Sequence, residues 1–491
     1  MQRRRQRDSS TLHKAVATRL LRSLAAAVLL AIWPASAQAA SGLDGAAMRW
    51  PFALPFAGLL LSIALGPLLL PKFWHHHYGK AAAFWSLLTL AALSGFAGFV
   101  PALQSFIHVL LDEYLSFILL LFALYTVTGG ILITGGIRGT PATNTGILAL
   151  GTIIASVVGT TGAAMILVRP LIRANLTRRH NVHVLVFFII LAGNIGGALS
   201  PLGDPPLFVG FLHGVDFFWT TQNIWLQTAI VAGLLLVCFA CLDWWLSRLE
   251  PPPDKTVARH PVRIRGLVNV VLVGAIVVNI LLSATWQPGV AFDVFGTRLE
   301  LQNLVRNALL VVIAGLSLWL TPEEHREANG FTWEPIREVA KLFAAIFTAI
   351  VPVVAMLQAG RNGSFAWLLD AVTTPAGAPR EVAYFWFTGL TSAFLDNAPT
   401  YLLFFELAGG NAQVLMRELS GTLASISMGA VYMGALTYIG NAPNFMVEAI
   451  ARERGVRMPS FFGYMLWAGA ALIPLFLLLT LLPIPPLLSA N

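Results

Sequence analysis

The sequence predicts an all-α polytopic membrane protein of two inverted repeats. Each repeat holds a re-entrant hairpin and a broken transmembrane helix, for about 10–11 spans in all. Three observations predict this. The first is composition: 57% of the 491 residues are apolar and only 11% are charged, against about 25% charged in a soluble domain. The second is a set of polar, Gly/Pro-rich interruptions of apolar runs that recur at one spacing. The third is a reversal in the charge of the loops that follow them.

The longest interruption is Asn194-Ile195-Gly196-Gly197-Ala198-Leu199-Ser200-Pro201-Leu202-Gly203-Asp204-Pro205-Pro206, set between the apolar runs 184–191 and 207–212. Proline removes the backbone donor and clashes with the preceding turn, so no helix passes through unbroken. Bare backbone at membrane depth survives only inside protein or along a wet cavity. The stretch Tyr432-Met433-Gly434-Ala435-Leu436-Thr437-Tyr438-Ile439-Gly440-Asn441-Ala442-Pro443-Asn444 repeats the device. Gly203 matches Gly440, Asp204 matches Asn441 and Pro206 matches Pro443, at an offset of 237 residues. The same offset sets Gly159-Thr160-Thr161-Gly162 against Asp396-Asn397-Ala398-Pro399. Broken segments at matching places in two halves point to a transport site.

In chain order, Arg3, Arg4, Arg5 and Arg7 precede a short apolar run and Ala37-Gln38-Ala39. Residues 1–39 therefore read as a signal peptide or an N-terminal anchor helix. The first membrane half is 50–246. Its spans are expected at 52–70, 81–100 and 115–136. A loop at 72–80 carries His75, His76 and His77, and a second loop carries Asp112 and Glu113. The hairpin 144–172 turns at Gly159-Thr160-Thr161-Gly162. The broken span 184–212 and a span at 224–246 follow, the latter with Cys238 and Cys241 as packing residues. A basic cytoplasmic linker, 247–265, divides the halves. The second half, 266–491, repeats the plan with spans at 268–282 and 308–320 and one ending near Leu357. The second hairpin (382–407), the second broken span and a last span (461–482) complete it.

Loop charge gives an independent reading. The loop after the first hairpin holds Arg173, Arg178 and Arg179, and its counterpart holds only Arg417. The loop after the first broken span has no Lys or Arg, and its counterpart holds Arg452, Arg454 and Arg457. Basic short loops stay in the cytoplasm, so the halves are expected to lie in opposite orientations. The net charge of +8 belongs to these loops and to lipid headgroups, not to nucleic acid.

The candidate substrate and ion ligands are Asp204, Asp396, Asn397, Asn194, Thr160, Thr161, Ser200, Thr437, Asn441 and Asn444. Asp204 and Asp396 are the proposed Na⁺ contacts. Carboxylates among neutral oxygens suit hard cations, whereas helix N-termini after each break suit an anion. Acid outnumbers base in the apolar segments: Asp204, Asp396 and Glu406 stand against Arg169. This excess favours cation or proton traffic. No nucleophile–base pair marks an enzyme.

These residues carry a resemblance over nearly the whole chain after the leader. With Gly159-Thr160-Thr161-Gly162-Ala163, residues 194–206, Leu395-Asp396-Asn397-Ala398-Pro399-Thr400 and Gly440-Asn441-Ala442-Pro443-Asn444, the chain resembles the ion transporter superfamily. Within it, the chain looks most like the NhaD-type sodium/proton antiporter or citrate transporter group. The resemblance implies transport domains that move like elevators, often in a homodimer, and the expected location is the cell's inner membrane. The first hairpin departs from the pattern. Antiporters of this type carry an acid there and dicarboxylate carriers a Ser-Asn-Thr tip, while this chain has Gly159-Thr160-Thr161-Gly162. The expected function is Na⁺/H⁺ antiport by alternating access, with no cofactor beyond the transported Na⁺ and H⁺. The alternative is a cation-coupled citrate, dicarboxylate or other anion carrier.

Overall fold

The computed structural model describes residues 43–250 and 261–481. The leader 1–39 and the middle of the basic linker lie outside them. The chain is helical almost throughout. Ten helices among the described residues are long and apolar enough to cross a membrane, which makes this a multi-pass membrane protein.

Helices α1 (Leu54–Leu69) and α2 (Pro71–Ala97) open the fold. The sequence expects a loop at 72–80, but Pro71 starts a helix with its fixed φ, and Lys72 and His75–His77 stand in the first turns of α2. Asp112 and Glu113 depart from expectation in the same way. They do not form a loop. Helix α3 (Phe99–His108) runs through one π turn, Val109–Tyr114, into α4 (Leu115–Thr128) as one continuous span. A π turn widens the helix without ending it, so it holds two acids within a span. Beyond α4, strand β1 (Leu132–Thr134) pairs antiparallel with β2 (Arg263–Arg265) of the linker.

Helices α5 (Pro141–Val158) and α6 (Thr160–Asn175) turn at Gly159 and run back on each other. Their outer ends meet where Gly139 N–H donates to Ala174 O at 2.8 Å. Next come α7 (Val182–Leu191), an irregular stretch, α8 (Pro205–Leu212) and α9 (Trp219–Ser247). Helix α7 has no polar face, and nine of its ten residues are buried, as expected of a helix surrounded by protein.

The second half opens with α10 (Leu267–Thr285), the hairpin β3 (Ala291–Val294) and β4 (Thr297–Glu300), and α11 (Leu301–Leu320). The short α12 (Glu323–Ala328), the long α13 (Glu334–Gln358) and α14 (Ala366–Val372) lead to α15 (Glu381–Leu395) and α16 (Asn397–Leu407), which meet at Asp396. Last come α17 (Ala412–Arg417), α18 (Ser420–Met433), α19 (Ala442–Glu453) and α20 (Phe461–Leu481).

Small residues let the central helices approach closely. A Cβ on Gly151 of α5 would meet Ala192 at 2.8 Å, and one on Gly429 of α18 would meet Thr388 of α15 at 3.2 Å. These two contacts are separated by the sequence offset. So are the pairs Gly196–Thr152 and Gly389–Met433, in which the glycine has changed sides.

Candidate functional site

Four interruptions meet in the interior. Gly159 and Asp396 each link two helices with nearly the same backbone, φ 82° ψ 153° and φ 74° ψ 145°. Glycine reaches this region freely, whereas an L side chain there costs about 1–3 kcal/mol. Asp396 is one of two non-glycine residues with positive φ among the described residues. Asp204 and Asn441 close the two breaks as N-caps in extended conformation, φ −144° and −156°.

Asp204 is 1% exposed and does not cap its own helix with its side chain. Its Oδ1 accepts from Thr160 Oγ1 at 2.9 Å and from Asn441 Nδ2 at 2.9 Å. Its Oδ2 accepts from Asn397 Nδ2. One carboxylate thus joins the tip of the first helix pair, the tip of the second and the second break. A buried carboxylate is tolerated only with such partners.

Asp396 is placed differently. It is half-buried, and its carboxylate accepts from its own tip, with Ala398 N–H at 3.4 Å. Asn397 is fully buried, and its Oδ1 has no hydrogen-bond partner. The structure gathers Asp204, Asp396, Thr160, Thr161 and Asn441 around one cavity of about 90 Å³. The remainder of its wall includes Leu120, Tyr125, Pro201, Phe208, Phe343 and Met446. No Lys, Arg or His lines it.

The other candidates brace this cavity from behind. Asn441 Nδ2 also reaches Asn194 Oδ1 at 3.2 Å, and Asn194 Nδ2 donates to Asn444 Oδ1 at 2.7 Å. Asn444 Nδ2 in turn donates at 2.8 Å to the carbonyls of Gly434 and Thr437. Ser200 and Thr437 do not point at the carboxylates. Ser200 Oγ donates to Ser156 O and Thr437 Oγ1 to Ala393 O, equivalent bonds that pin each break to the first arm of its helix pair.

The family assignment follows from a match over most of this framework. A family model described as "Putative citrate transport" matches residues 45–484, which span all four interruptions. The chain belongs to this citrate-transport family. Two curated relatives, uncharacterized transporters of Mycobacterium bovis and Mycobacterium tuberculosis, are each 25% identical over 337 residues. The alignment covers 65% of this chain and 71% of each relative. As a member of the citrate-transport family the chain is a membrane transporter, and family-level description leaves its substrate open.

One buried network escaped the sequence reading. Asp243 of α9 is fully buried. It accepts from Asn144 Nδ2 at 2.9 Å, pairs with Arg178 Nη1 at 2.6 Å and meets His183 Nε2 at 2.9 Å. Asn144 also bonds Asn175 at 3.0 Å. The base of the α5–α6 pair is thereby tied to α7 and α9. A lone acid in an apolar helix was the available signal.

Proposed function

We propose that the chain is a secondary transporter exchanging Na⁺ (or Li⁺) for H⁺ by alternating access, with Asp396 as the exchanging carboxylate. The observation that carries this is the cavity: two carboxylates, neutral oxygens and no basic side chain in about 90 Å³. Small-molecule sites usually enclose roughly 300–1,000 Å³, whereas this volume suits an ion with little water. A tricarboxylate beside Asp204 and Asp396 would face two like charges with no cation to offset them. A cation or a proton neutralises the site instead.

In this mechanism Asp204 is the fixed anion. Its three donors leave it little capacity to take an ion directly, and its charge favours a cation near Asp396. Asp396, held by weak tip contacts and open to the cavity, accepts Na⁺ or a proton but not both. Competition for one carboxylate couples the two ions. The paired tips, the equivalent breaks and the loop-charge reversal support inverted repeats with re-entrant hairpins, the first entered from the cytoplasm and the second from outside.

The family's description favours a second reading, a cation-coupled citrate carrier. Everted vesicles separate the two. Adding Na⁺ should dissipate an imposed pH gradient, Asp396→Asn should abolish that signal, and labelled citrate should not accumulate. Citrate uptake together with an unaltered Na⁺ signal in Asp396→Asn would replace the first reading with the second.

A further inference from the structure

We infer that the chain carries a second ligand site, separate from the cavity at the hairpin tips, that takes a small organic cation: an ammonium head on an apolar body, with Glu406 as its counter-ion. The inference does not depend on which ion the transporter exchanges.

The site is a cavity of about 830 Å³ at the base of the second helix pair. Small-molecule sites enclose roughly 300–1,000 Å³. It shares no lining residue with the cavity of about 90 Å³. Asn397 begins α16 and Glu406 lies in its last turn, so the two are about 14 Å apart along the helix axis. Both halves build the wall: His213 follows α8, Gln358 ends α13 and Glu406 comes from α16.

Glu406 is 4% exposed yet lines this space. Its Oε2 accepts from Gln358 Nε2 at 3.0 Å, and its Oε1 has no hydrogen-bond partner among the described residues. The following loop is fitted to the group, since a Cβ on Gly410 would meet Oε2 at 2.5 Å. One neutral amide does not offset a buried carboxylate, which is costly without an opposite charge. No described Lys or Arg lines the cavity. His213 adds an acceptor. Its Nδ1 lies 2.9 Å from Val209 O, so a neutral ring keeps its proton there and leaves Nε2 as an acceptor. Glu113 of the π turn interacts electrostatically with both Glu406 and His213 and deepens the negative field.

The backbone gives an anion little to hold. The N–H groups of Gly409 and Gly410 are spent on Glu406 O at 3.0 Å and Phe405 O at 3.1 Å, and that of Gly377 on Thr374 O at 2.8 Å. They form no anion-binding nest. Among the described residues no three His, Cys, Asp or Glu come together around a metal, so a bare divalent ion lacks its ligands. Leu357, Leu369 and Leu419 supply apolar wall, with Tyr384 beside them. Aliphatic and aromatic surface around one carboxylate fits an organic ammonium, whose head meets the charge while its body covers the leucines.

The test is calorimetric titration of the purified full-length protein in detergent, at about pH 8 where histidine is neutral. The probes are 2-phenylethylamine, 2-phenylethanol and phenylacetate. The inference expects saturable binding of one amine per chain, with the alcohol and the carboxylate bound about tenfold more weakly or less. Glu406→Gln should remove that preference. Gln413→Arg, at an exposed position that also lines the cavity, should weaken the amine and strengthen the carboxylate, and it decides the matter if Glu406→Gln does not fold. Absence of amine binding, equal binding of the alcohol, or an amine affinity unchanged in a folded variant would overturn the inference. Ammonium chloride binding as tightly as the amine would also overturn it, by showing that the apolar body contributes nothing.

Discussion

If Asp396 is the exchanging carboxylate, function and stability pull in opposite directions there. Its φ of 74° is glycine's territory, and glycine stands at the matching position 159. Asp396→Gly should relieve about 1–3 kcal/mol of backbone strain, while losing the N-cap to glycine costs only a few tenths of a kcal/mol. The expected outcome is a higher melting temperature in detergent together with loss of Na⁺-driven proton movement. A lower melting temperature would mean that the residue is held there by packing and not by its role. Thr160→Val tests the partner carboxylate. It keeps the shape and removes the donor 2.9 Å from Asp204 Oδ1. Leaving a charged acceptor short of one bond should cost about 1–3 kcal/mol, read as a fall in thermal stability, with slower exchange. The sequence shows both aspartates, because each sits in a helix-breaking stretch. It does not show that Asp204 is shared by three distant segments, since such bonds span up to 237 positions and leave no local pattern.

At the scale of elements, the four interruptions are readable because Gly and Pro act locally on the backbone. The misread stretches are those where polarity conflicts with helical continuity. Asp112 and Glu113 read as a loop by charge, yet they lie in a π turn of a continuous span. Asp243 is hidden by its apolar neighbours, although it ties α5, α6, α7 and α9 together. Removing one partner of a buried charge network typically costs about 3–5 kcal/mol. Asp243→Ala should therefore reduce folded yield and melting temperature sharply, with the ion preference of the surviving protein unchanged. An altered Na⁺/Li⁺ preference would instead connect this network to the site. Helices α8 and α16 offer another test. Gly210 lies under Tyr401, and a Cβ there would meet Tyr401 Oη at 2.4 Å. Overpacking of this kind costs about 1–3 kcal/mol. Gly210→Ala should lose stability and exchange rate, and adding Tyr401→Phe should restore part of both.

The whole molecule turns on orientation. If the two helix pairs enter from opposite faces, the loops that follow them lie on opposite sides of the membrane, and so do the loops after the two breaks. Thr177 and Arg454 then share the cytoplasmic side, while Asp216 and Gln413 share the other. All four residues are exposed. A background without native thiols is accessible, because Cys238 and Cys241 are both exposed on α9 and unpaired. Exposed substitutions of this kind usually change stability by less than about 0.5 kcal/mol. Single cysteines placed at these four positions and treated with a membrane-impermeant maleimide should divide two and two. Positions 216 and 413 should label in intact cells, and 177 and 454 only in everted vesicles. The charge of each loop and the offset between the halves are separate features of the chain, and this experiment requires both to give the same answer. Labelling of 177 and 413 from one face would show that the halves run parallel. Two parallel halves could still bring Asp204 beside Asn397, but they would not present the cavity to each side in turn by exchanging equivalent conformations. Alternating access would then need a different structural basis.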